Sequence, residues 1–253
     1  MLQVLYLLYQ LFIAAPILLL LTLLVALSTI VGCTLGGGRF WGYYPAHLWG
    51  KAMCWLMLLP VSVEGRQNIR RDTSYVFVAN HQGAYDIYLV YGFLSHTFRW
   101  MMKASLRQMP LIGKACEAAG HIMVQRQSTA SVRHTIDQGR HVLQDGTSLV
   151  VFPEGARTFT GTMGLFRKGA FQLADELQLP VVPLTIDGTF EVLPRQRRWT
   201  YLTWHPLRLV IHPPIYPIGR GAENLEHLAT ASRAAIESAL PPHHQGYAEN
   251  PDQ

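Results

Sequence analysis

Two short clusters in this chain carry side chains able to move protons and grip anions. The first is Asn80-His81-Gln82-Gly83-Ala84-Tyr85-Asp86. On a continuous helix, residues five apart sit about 140° from one another, too far around the axis to pair. A turn at Gly83 removes that obstacle. Asp86, in the first turn of a following helix, can then point back at one imidazole nitrogen of His81. Such a carboxylate fixes the tautomer and stabilises the imidazolium, leaving the other nitrogen free to take a proton. The second cluster is Phe152-Pro153-Glu154-Gly155-Ala156-Arg157. Proline stops a strand, glycine relaxes the backbone, and the planar fork of Arg157 suits a phosphate. Taken alone, this second cluster fits a surface turn with a solvated ion pair equally well.

Both clusters follow short apolar runs, and those runs define the elements that must position them. Candidate strands cover 61–64, 75–79, 98–102, 121–124, 148–152, 181–186 and 207–211. Candidate helices cover 84–93, 111–119, 131–144, 169–177 and 225–240. Their alternation predicts an α/β domain whose central, mostly internal mixed sheet is flanked by helices. Neither an internal repeat nor an interdomain linker interrupts it. The organisation expected is a membrane-associating helical segment over 1–59, a catalytic-sized domain over 60–240, and a loose polar tail over 241–253.

The first 38 residues contain no Asp, Glu, Lys, Arg or His. The run from Leu11 to Val31 would be about 31 Å long as a helix, the thickness of a hydrocarbon core. A buried core helix seldom needs so long an uncharged run, and a secretory signal would carry a basic start. A lipoprotein signal ending at Cys33 is a further alternative, given Ile30-Val31-Gly32 before it. Gly36, Gly37 and Gly38 then read as a hinge, followed by the aromatic cluster Phe40, Trp41, Tyr43 and Tyr44. The second apolar stretch, 46–59, is too short to span comfortably. The pair therefore reads as a two-helix membrane anchor, either a hairpin dipping into one leaflet or a spanning helix with an interfacial companion. Arg39, Lys51, Arg66, Arg70 and Arg71 all follow the long run, which places the domain on the cytoplasmic side of a cell membrane.

The two clusters do not stand alone. NHQGAYD at 80–86, GHIMVQR at 120–126, FPEGAR at 152–157 and VVPL at 181–184 occur in order, with Lys103 before the second block and FRKGAF at 166–171 after the third. This series resembles the glycerolipid acyltransferase family with its HX4D motif, whose best-known members are the 1-acyl-sn-glycerol-3-phosphate acyltransferases. The resemblance implies that His81 is the general base and Asp86 its orienting partner. It also implies that Glu154, Gly155 and Arg157 belong to the acceptor-binding block, with Lys103 and Arg126 as further phosphate ligands. The implied reaction moves an acyl chain from acyl-CoA or acyl-carrier protein to the free hydroxyl of lysophosphatidic acid, giving phosphatidic acid. Glycerol-3-phosphate or another lysophospholipid, including amino-acid lyso-lipids, is the alternative acceptor, and a non-catalytic lipid-binding membrane protein the alternative class. The sequence departs from the family where Gly83 replaces Ser, Gln125 replaces Asp and Ala156 replaces Thr.

Composition narrows the partners. Charged residues make up 15%, against roughly 25% in an ordinary soluble domain. The net charge of +5 comes from 21 Lys and Arg against 16 Asp and Glu, which suits an anionic membrane surface better than nucleic acid. The basic run Arg195, Arg197 and Arg198, with Trp199 and Tyr201, fits lipid headgroups or a solvated loop. Cys33, Cys54 and Cys116 make neither a disulfide framework nor a zinc knuckle. His121, His134, His141 and the His243-His244 pair lack ligand spacing, so no metal or other cofactor is expected beyond the acyl-donor co-substrate.

Overall fold

Strands apolar on both faces must be covered on both sides. Every residue of Val76–Ala79 is buried, with Phe77 and Ala79 entering one core and Val76 and Val78 the other. The computed structural model, which describes residues 2–124, 129–196 and 201–248, shows the sheet that results. Its strands are β1 (Val61–Glu64), β2 (Val76–Ala79), β3 (Phe98–Lys103), β4 (Ile122–Val124), β5 (Ser148–Val151), β6 (Val181–Asp187) and β7 (Leu207–Ile211). They lie in the order β1-β7-β6-β2-β5-β3-β4. From β6 to β4 all neighbours are parallel, whereas β7 is antiparallel to β6 and parallel to β1. The sheet is therefore mixed and internal, and each expected strand is present to within one residue at either end.

The helices are α1 (Leu2–Tyr9), α2 (Ala15–Thr34), α3 (Gly38–Trp41), α4 (Tyr44–Leu56), α5 (Asp86–Phe93), α6 (Ile112–Ala118), α7 (Thr129–Val142), α8 (Gly169–Leu177), α9 (Thr189–Val192) and α10 (Ala222–Ser238). After β2 the chain turns to one face, where Leu89, Val90 and Phe93 of α5 join the core around Phe77. After β5 it reaches the other face, where Ala170, Phe171 and Leu173 of α8 join Val76 and Val78. Adjacent parallel strands whose chains depart to opposite faces leave a crevice at their carboxyl ends.

Of the expected two-helix anchor, one helix is long and apolar enough to cross a membrane. α1 and α2 are joined by a π-helical segment, Gln10–Ala14, into this one helix, Leu2–Thr34. Pro16 lacks an N–H, and the ladder widens to i→i−5 just before it, with the Ala15 N–H donating to the Gln10 carbonyl. Between Tyr6 and Thr22 this helix is fastened to α4, the turn after it and the 201–206 segment. The Tyr6 and Tyr9 hydroxyls donate to the carbonyls of Met57 and Leu56, each at 2.7 Å. The Gln10 amide both donates to the Leu202 carbonyl (2.9 Å) and accepts from its N–H (2.8 Å). Further along, the Trp49 indole donates to Thr22 Oγ1 at 2.9 Å.

The second expected helix, α4, packs on the domain. Gly50 and Gly92 let it pack closely on α5: a Cβ on Gly50 would lie 2.7 Å from the Gly92 nitrogen. The polar tail also departs from expectation. Pro242–His244 forms a 3-10 turn with His244 only 3% exposed, and Arg233 of α10 holds the Gly246 carbonyl at 3.0 Å.

Gln10→Ala leaves both backbone groups of Leu202 without their partner, a loss of roughly 1–3 kcal/mol for a poorly solvated pair. Thermal unfolding of the detergent-solubilised protein is expected to shift down accordingly. An unchanged transition would show that this amide clamp does not hold the long helix to the domain.

Candidate active site

Three neighbouring parallel strands, β6, β2 and β5, deliver their next residues to one edge of the sheet. β2 runs into Asn80, whose side-chain amide donates to the Ile186 carbonyl and accepts from the Ile186 N–H, both at 2.8 Å. That exchange extends the β2–β6 pairing by one more step. His81 follows, and the chain then turns through Gly83 into α5.

The turn brings His81 Nδ1 to 2.6 Å from Asp86 Oδ2. The Gly83 N–H donates to the same oxygen at 3.1 Å, and the Thr189 hydroxyl, at the start of α9 beyond β6, donates to Oδ1. Asp86 is fully buried and opens α5, where the helix N-terminus favours a carboxylate. Gly83 is needed for closeness: a Cβ there would lie 2.4 Å from the Thr189 carbonyl oxygen. The His81 ring stacks on Phe152, with centroids 3.9 Å apart and planes 7° from parallel. Phe152 in turn stacks on Trp100 at 5.2 Å. Nδ1 is thus occupied, and among the described residues Nε2 has no protein partner. The side chain is 15% exposed.

Glu154, read from the sequence as part of an acceptor-binding block, turns inward. It is 1% exposed; its Oε1 accepts the His81 N–H and its Oε2 the Gly164 N–H, both at 2.8 Å. The Thr158 N–H donates to the His81 carbonyl at 2.8 Å, so the two motif loops are tied on both sides of His81. Burial pushes the Glu154 carboxyl up to about 7, against the pull of its two N–H donors and with a smaller upward push from Asp86. Gly155 has φ of +74°, and a Cβ there would meet Arg167 Nε at 3.0 Å. The position requires the absence of a side chain.

Arg157 is half-buried. Its guanidinium has no hydrogen-bond or ion-pair partner among the described residues, and burial lowers its pKa below the ordinary arginine value. Lys103 ends β3, exposed on the same carboxyl edge, and pairs in register with Val124 of β4. Arg126, two positions past Val124, lies outside the described residues, as do Arg197, Arg198 and Trp199 of the basic run. VVPL lies in β6 and is wholly buried; its contribution is to build the strand beside β2. His121 of the second block is a structural post: Nδ1 accepts the Trp100 N–H at 3.3 Å and Nε2 faces the Tyr91 hydroxyl at 2.8 Å. Burial, assisted by Arg99, pulls it down to about 3, so it stays neutral.

Thr189, Phe152 and Arg167 take part in or flank the site without having been picked out individually from the sequence. Phe152 and Arg167 had pointers, through the FPEGAR and FRKGAF runs, and Thr189 had none. The Arg167 N–H donates to the Pro153 carbonyl at 2.9 Å, and its guanidinium lies over Gly155.

Comparisons with known proteins give the family and the fold. A family model described as Acyltransferase matches residues 60–187. A 1-acyl-sn-glycerol-3-phosphate acyltransferase of Chlamydomonas reinhardtii is 34% identical over 72% of this chain and 53% of its own length. A chloroplastic 1-acyl-sn-glycerol-3-phosphate acyltransferase of Brassica napus is 31% identical over 70% of this chain and 51% of its own. The chain thus spans about half the length of these curated relatives. The crystal structure of the 1-acyl-sn-glycerophosphate (LPA) acyltransferase PlsC from Thermotoga maritima superposes with a TM-score of 0.73 at 27% identity, covering 92% of both chains.

Glu154 gives this site a pH signature. Its carboxyl rises from an ordinary 4.5 to about 7 on folding, so across that window the folded chain binds more protons than the unfolded one and stability falls as pH rises. Glu154→Gln removes this component and sets an amide NH2 against one of the two N–H donors, a cost of roughly 1–3 kcal/mol. Unfolding measured from pH 4.5 to 7 should show a less stable variant with a flatter profile. Parallel profiles would refute the assignment.

Proposed function

Because the chain belongs to the acyltransferase family, on a family match that spans residues 60–187, we propose that it transfers an acyl chain from acyl-CoA or acyl-carrier protein to the free hydroxyl of lysophosphatidic acid, giving phosphatidic acid. The observation that carries this reading is the His81–Asp86 contact of 2.6 Å beside an Arg157 that has no carboxylate partner among the described residues. It puts a base with one free nitrogen next to a cation with free donors, which is what a phosphate-bearing alcohol needs.

The hydroxyl oxygen of the acceptor attacks the thioester carbonyl while its proton moves to His81 Nε2. Asp86 stabilises the imidazolium through Nδ1. The C–S bond then breaks, and the departing thiolate takes the proton from Nε2. A positioned base of this kind contributes roughly 10²- to 10⁴-fold. Arg157, with Lys103 at the end of β3, receives the acceptor phosphate, and the resemblance in sequence adds Arg126 as a further ligand. Glu154 and Gly155 act on the substrate indirectly, by holding the loop from which Arg157 projects.

The membrane contact in this reading belongs to two helical elements. Along Leu2–Thr34 the side chains turned from the domain are exposed and apolar, including Leu5, Phe12, Leu19, Leu20, Leu24 and Leu27, and α4 adds Leu48 and Trp55. A helix fastened between Tyr6 and Thr22 offers this ridge to one leaflet. Arg39, Lys51, Arg66, Arg70 and Arg71 favour the anionic cytoplasmic face of a cell membrane.

Purified protein supplied with either donor and lysophosphatidic acid, glycerol-3-phosphate or other lysophospholipids is expected to release thiol and form phosphatidic acid fastest from lysophosphatidic acid. His81→Ala should lower turnover by at least about 100-fold in a variant that is less stable but still folded at the assay temperature; near-normal turnover in the folded variant would sink the proposal. Arg157→Ala is expected to raise KM for phosphate-bearing acceptors by about tenfold or more, the loss of one charge-assisted contact. An unchanged KM would remove Arg157 from the acceptor site.

A further inference from the structure

The adjacent residues His243 and His244 have no third ligand nearby in the sequence, but the fold supplies one. Glu191 of α9 meets the 3-10 turn of the tail so that its Oε1 lies 3.8 Å from His243 Nε2 and 3.4 Å from His244 Nε2. The ligand atoms of all three residues lie within 4.8 Å of one another. In a tetrahedral zinc site with bonds of about 2.0–2.2 Å, ligand atoms are roughly 3.3 Å apart. The triangle therefore needs to close by about 1.5 Å at most, and His243, exposed on the turn, has room to do it.

Two buried acceptors beside this cluster lack partners among the described residues: Glu191 Oε2 and Gln82 Oε1. The Gln82 Nε2 group donates to His244 Nδ1 at 3.1 Å and to the Gly161 carbonyl at 3.3 Å. With Nδ1 as acceptor, His244 carries its proton on Nε2, facing Glu191. Ligation through Nε2 needs the other neutral tautomer, with the proton on Nδ1. A half-turn of the Gln82 amide gives up the long contact to the Gly161 carbonyl and sets the partnerless Oε1 opposite that N–H, the outer hydrogen bond that a metal-bound histidine requires. The ring stays neutral and no proton is lost.

We propose that Glu191, His243 and His244 form a binding site for a zinc-class divalent cation, with Gln82 as its outer-shell acceptor. Two imidazoles and one carboxylate suit zinc better than the hard cations magnesium and calcium, and leave a fourth position for water. The ion fastens the tail to α9, whose first residue, Thr189, holds Asp86. The site is independent of which acyl acceptor the enzyme uses.

The test uses untagged full-length protein, stripped with a chelator and titrated with Zn²⁺ against a chromophoric competitor. One Zn²⁺ per chain is expected, with a higher melting temperature in its presence and no response to Mg²⁺. His243→Ala, at an exposed position that leaves the core untouched, and Glu191→Gln should each weaken zinc binding by about tenfold or more. Wild-type protein that binds no zinc at micromolar concentration, or an affinity unchanged in either folded variant, overturns the proposal.

Discussion

A buried carboxylate is tolerated only when donors replace the water it has lost. Asp86 is the group on which this constraint falls, and its donors come from three places: the His81 ring, the Gly83 backbone and the Thr189 hydroxyl. None of the three sits on α5 itself. The strand ends that carry them must therefore finish at the same height. The Asn80–Ile186 amide exchange holds β2 to β6 at that height, and Glu154 fastens the loop after β5 to the other side of His81. The sheet order β6-β2-β5 is the arrangement in which one carboxylate can be satisfied and the imidazole next to it still face outward.

The same economy governs the N-terminal region. A charge-free helix of this length would be expected to leave the domain, yet Gln10 bonds to Leu202, and Tyr6, Tyr9 and Thr22 bond to α4 and the turn after it. These polar atoms occur on the inner side of an otherwise apolar helix. The π segment at Gln10–Ala14 coincides with the amide clamp, so the local widening of the helix and its attachment to the 201–206 segment occur at one place.

The central strands β2, β5 and β6 could be read from the sequence because burial on both faces makes them short, largely apolar runs, and the outer strands β1 and β7 because their burial alternates with a period of two. The His81–Asp86 pairing could be read because Gly83 stands between them where a turn is needed. Thr189 was not readable: it lies 103 residues from Asp86 and belongs to a single helical turn too short to show a period. Glu154 read as part of an acceptor-binding block, since nothing local announces that its loop folds its carboxylate under His81. The docking of Leu2–Thr34 was hidden for a related reason, since hydropathy shows what a helix avoids and says nothing of what lies beside it. The tail misled by composition, because its polar character concealed one histidine placed in a buried polar cluster.

The stacked pair of His81 and Phe152 fixes which atom of the ring faces outward. With Asp86 holding Nδ1 and a ring lying flat against it at 3.9 Å, the imidazole is held against turning to present its two nitrogens alternately. Nε2 is left as the one ring nitrogen turned to solvent. The direction from which a proton donor can approach is therefore set by the loops after β2 and β5, which carry these two rings, and not by any rotation of the imidazole itself.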